Sequence, residues 1–93
     1  MNVNKNADGR YFQLSNFYLA CFLLSKGLEL VNIQKGLSDP KRSEFVFRDI
    51  PQREQLVHSF NFAPEDSRDV SIDAREFIAA IKTMKDKLYQ EKF

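Results

Sequence analysis

The chain reads as an α+β domain: three helices gathered on one side of a small antiparallel sheet, in the order α-β-β-α-β-α. Three observations predict it. An unbroken apolar run, Phe17 to Leu24, is too short for a membrane and is bounded by helix caps. Two alternating segments flank a turn cluster at residues 36–43. An amphipathic stripe with an N-terminal cap closes the chain. Helices set against one face of an antiparallel sheet bury the apolar side of both.

Residues 1–10 are polar and are expected to form a flexible N-terminal segment, leaving 11–93 as a single domain. Nine Phe and no Trp give this short chain bulky material for a core. Arg10 to Gln13 reads as extended chain leading into the first helix.

The run FYLACFLL covers about 12 Å as a helix, far short of the roughly 20 residues that cross a bilayer. No small-x-small cleavage site follows it, because Ser25-Lys26-Gly27-Leu28-Glu29 comes next. Ser15 or Asn16 is placed to cap it, and Gly27 to end it in the left-handed conformation. Apolar on nearly every side, this helix is expected to be enclosed by other elements.

Leu28 to Lys35 reads as a strand whose apolar phase shifts midway. Either both of its faces are partly covered or a bulge occurs near Leu30–Val31. After the turn GLSDPKRS, the segment EFVFR puts Phe45 and Phe47 on one face and Glu44, Val46 and Arg48 on the other. A hairpin pairs the two segments. Asp49 and Gln52 are positioned as a capping box around Pro51, with a second helix to about Phe60. Val70-Ser71-Ile72 alternates and is expected to add a short edge strand. Asp73 with Glu76 three residues later starts the third helix, whose Phe77, Ile81, Met84 and Leu88 form the inward stripe.

The strings FYLACFLLSKGLELVNI, SEFVFRD, LVHSFNF and VSIDAREFIAAIKTMKDKLY together resemble a family of small bacterial and phage-associated domains of unknown function. The resemblance covers about Tyr11 to Tyr89. It rests on Phe17, Leu19, Ala20, Leu23, Gly27, Phe45, Phe47, Phe60, Val70, Phe77, Lys85, Leu88 and Tyr89. It implies this fold and a bacterial or phage-like cytosolic setting, and it implies no activity.

Functional signals are few. A net charge of +1 gives no global field toward nucleic acid or membrane. Cys21, the single cysteine, excludes an intrachain disulfide and a Cys-rich zinc site, and a buried thiol suits a reducing cytoplasm. His58 has Glu54 one turn earlier but no further ligand at metal spacing. Asp66, Asp69, Asp73 and Glu76 lack the glycine of a calcium loop. No catalytic residue, metal ligand or cofactor is therefore assigned.

The leading expectation is a cytosolic, non-catalytic binding or assembly module that associates with itself or another protein. Phe62, Tyr89 and Phe93 are its interface candidates, since no predicted core position accounts for them. The alternative is a small nucleic-acid-binding accessory protein. It would use Lys35, Lys41, Arg42 and Arg48 on the hairpin with Lys82, Lys85 and Lys87 on the last helix.

Overall fold

A computed structural model describes residues 10–36 and 39–90. Its elements are β1 (Tyr11–Leu14), α1 (Phe17–Ser25), β2 (Leu30–Lys35), β3 (Ser43–Arg48), α2 (Arg53–Phe62), a 3-10 turn (Arg68–Val70) and α3 (Ala74–Gln90). The fold class stands as predicted, with three helices and a three-stranded antiparallel sheet.

The third strand comes from an unexpected place. β3 is central and pairs with β2 on one side and β1 on the other. Residues 70–72 form no strand; the 3-10 turn ends there, and the Ser71 carbonyl accepts a 3.0 Å bond from the Lys26 ammonium on the helical side. Tyr11–Leu14 wins the free edge because Phe12 and Leu14 alternate in phase with Phe47 and Phe45, their partners in register. The Asp49 amide closes this edge on the Arg10 carbonyl at 2.7 Å.

Register assigns the faces. Phe12, Leu14, Leu30, Ile33, Phe45 and Phe47 share the side that meets the helices. The bulge lies between Leu30 and Asn32, so Val31 is the extra residue and the apolar phase recovers at Ile33.

α1 sits in the middle of the core. Leu19 through Leu23 are all buried, which no helix lying on a single surface could achieve. Phe17 meets Phe45 of the sheet edge-on, and Phe22 meets Phe60 of α2 with ring centres 5.1 Å apart. α3 supplies Met84 and Ala80 from the opposite side. Both ends of α1 are finished locally. Asn16 accepts the Leu19 amide through its side chain at 3.1 Å. At the other end Leu28 N–H donates to the Leu23 carbonyl and Gly27 N–H to the Leu24 carbonyl, with Gly27 at φ 102°. That pair of bonds is a Schellman motif, and Leu28 supplies its buried apolar contact.

α2 starts one turn later than expected, with Gln52 as an N-cap that makes no side-chain bond, so Asp49 and Gln52 form no capping box. The Asp49 carboxylate is occupied instead by the Arg53 guanidinium, at 3.0 and 3.2 Å. That guanidinium also lies over the Phe12 ring, 4.1 Å from its centre, and so ties α2 to β1. For α3 the predicted cap is present: Asp73 Oδ1 accepts the Arg75 and Glu76 amides.

Candidate functional site

The side of the sheet away from the helices has no covering element among the described residues. Tyr11, Gln13, Asn32, Gln34, Glu44, Val46 and Arg48 point to it by register. Tyr11, Gln13, Val31, Asn32, Gln34 and Val46 line a shallow depression of about 260 Å³. Val46 lies between Gln13 and Asn32 on the two neighbouring strands, and their cover leaves it only 7% exposed.

The face is polar but close to neutral. Gln34 donates to Glu44 at 3.5 Å. Arg48 bonds Glu29 at 3.2 Å and lies 5.7 Å from the centre of the Tyr11 ring. Phe45 and Phe47 point to the core, as expected, and are buried, so the sheet offers no aromatic platform of theirs for stacked bases. The amide group of Gln13, Asn32 and Gln34 was not singled out from sequence. The alternation of YFQL could have found it, since placing Phe12 and Leu14 inward turns Tyr11 and Gln13 outward.

The other candidate residues fall in separate places. Lys35 ends β2, and Lys41 and Arg42 are exposed in the turn. That turn is drawn tight by Gly36, whose amide donates to the Arg42 carbonyl at 2.8 Å. A Cβ on Gly36 would come within 2.7 Å of the Asp39 carbonyl oxygen. Lys82, Lys85 and Lys87 are exposed on α3, and Lys87 borders β2. Phe62 and Tyr89 are 73% and 66% exposed, with Phe62 resting against the His58 ring. They lie on different helices, and Phe93 is outside the described residues. Tyr18, Ile78 and Val31 are further exposed apolar groups that the sequence reading did not separate from core.

Cys21 is fully buried, and burial pushes its thiol up to about 11, with the Lys85 charge opposing that rise. A thiol so placed is a poor nucleophile. Among the described residues no three His, Cys, Asp or Glu side chains come together as a metal set, and no helix is long and apolar enough to cross a membrane.

No curated protein and no solved structure matches this chain. One family model does, over residues 9–90, from the residue before Arg10 to the last residue of α3. The chain thus belongs to the family described as domain of unknown function DUF5659.

Proposed function

We propose that this domain is a non-catalytic binding and assembly module, and that it associates with a second copy through the open face of its sheet. The observation that supports this is the composition of that face: three amide side chains around Val46, with its one arginine engaged by Glu29. An isologous dimer brings a patch against its own copy, so the patch must complement itself. Gln13, Asn32 and Gln34 each carry both donors and an acceptor, and therefore pair with their own kind without stranding a charge. The strands are only four to six residues long, so the area is small and the association belongs to the weak, reversible class.

The setting belongs to the same proposal. A buried free thiol suits the reducing cytoplasm, and the family resemblance suits a bacterial or phage host. Sedimentation velocity over a concentration series tests the assembly. The sedimentation coefficient is expected to rise with concentration, and the paired substitutions Gln13→Arg and Asn32→Arg to abolish the rise while the circular dichroism spectrum stays native. A monomer persisting to about 1 mM, a concentration that would populate even a millimolar complex, overturns the proposal.

A further inference from the structure

Two sets of cations far apart in sequence lie along the β2 edge of the molecule, Lys87 beside the middle of the strand and Arg42 opposite Gly36 just past its end. The last turns of α3 pass the outer edge of β2, where Lys87 and Gln90 line a cleft of about 100 Å³ with Leu30, Val31, Asn32 and Ile33. From Ile33 the strand runs on to Lys35 and into the turn that exposes Lys41 and Arg42. Lys82 and Lys85 do not share this border. At about 100° per residue they stand roughly 140° and 160° around the helix from Lys87.

Of the acidic groups near the border, Asp39 sits in the turn and offsets one of its two cations. The Asp39 carboxylate accepts the Lys41 backbone amide at 3.1 Å, and Asp86 is turned about 100° from Lys87. Glu44 points to the open face with Gln34. The border therefore carries net positive charge on a chain whose total is only +1.

We propose that this border binds the phosphodiester backbone of a nucleic acid, with Lys41, Arg42 and Lys87 on phosphates. A row of ammonium and guanidinium groups complements a phosphate chain and carries no base information, so the contact is independent of sequence and steeply salt-dependent. Val31 and Asn32 border both surfaces, but the three phosphate contacts, Lys41, Arg42 and Lys87, are not residues of the amide face. Loss of assembly and loss of this contact are therefore read separately.

Fluorescence anisotropy of a labelled oligonucleotide, single-stranded in one arm and duplex in the other, tests it across about 20 to 200 mM salt. Three phosphate contacts give a slope of log affinity against log salt of about −2 for a single strand and about −3 for a duplex. Lys41→Gln with Arg42→Gln should remove two thirds of that slope and Lys87→Gln one third. Lys82→Gln and Lys85→Gln should leave it unchanged. Binding in either arm with this pattern supports the proposal, and the tighter arm identifies the backbone form. No binding at the lowest salt overturns it. So does an equal loss on Lys82→Gln, or tighter binding to vesicles of phosphatidylcholine and phosphatidylserine with the same dependence on Lys41, Arg42 and Lys87.

Discussion

The two faces of β3 carry alternate residues of one six-residue strand and meet opposite fates. Phe45 and Phe47 disappear beneath α1, while Glu44, Val46 and Arg48 look away from every helix. Alternation alone assigns residues to faces. What covers a face is decided by connections and packing: α1 lies between β1 and β2, α2 follows β3, and α3 packs on α1. The covered face should therefore dominate stability and the open face should tolerate change.

The largest test of that contrast lies in α1. Phe22→Ala removes a ring packed on Phe60 and between elements, and should cost about 3–5 kcal/mol in urea unfolding. The total stability of a chain this size is of the order of 5–14 kcal/mol, so much of it would go. A cost below about 1 kcal/mol would place α1 outside the core and dissolve the contrast.

The second test uses pH. Cys21 is held at about 11 in the folded chain against 9.0 for an ordinary thiol. The unfolded chain then loses a proton that the folded chain keeps, so stability is full below pH 9 and declines as pH rises toward 11. Two units correspond to about 3 kcal/mol at most. The difference between wild type and Cys21→Ala, followed by urea unfolding from pH 8 upward, isolates this share from the tyrosines and lysines. A difference independent of pH would mean that water reaches the thiol and that α1 is wetter than its burial indicates.

Gly27→Ala comes next. Nothing lies within 4 Å of an added Cβ, so the cost is conformational alone, from φ 102°. It should be about 1–2 kcal/mol by thermal or urea unfolding. A neutral result would show that the turn after α1 relaxes and that the Schellman bonds do not define where β2 begins.

Much of the covered face is legible in the sequence. The caps of α1, the hairpin, the inward phenylalanines and the Asp73 cap are short-range patterns, and of the two readings open for Leu28–Lys35 the structure has the bulge. The errors were long-range. Val70-Ser71-Ile72 alternates as well as Tyr11–Leu14 does, and only the competition for β3 separates them. Asp49 has the spacing of a cap, but its carboxylate has a better partner in Arg53, which is also drawn to Phe12 on a strand nearly forty residues earlier in sequence. The candidate surfaces were less legible still. Lys82, Lys85 and Lys87 look alike in sequence, and the cleft at the edge of β2 singles out Lys87.

The smallest effect is expected on the open face, and it sharpens the contrast most. Arg48 and Glu29 form a 3.2 Å pair with both side chains at least half exposed, 51% and 67%. Water competes for both groups and salt screens them, so Arg48→Ala should cost no more than about 1 kcal/mol. Its contact with the Tyr11 ring adds a fraction of that. Yet Arg48 sits next in the chain to Phe47, which is fully buried. A destabilisation by Arg48→Ala comparable to that of Phe22→Ala would mean that the outer face is covered after all. Observed only at high protein concentration, that result would point to a second copy as the cover, because an oligomer's apparent stability rises with concentration and a monomer's does not.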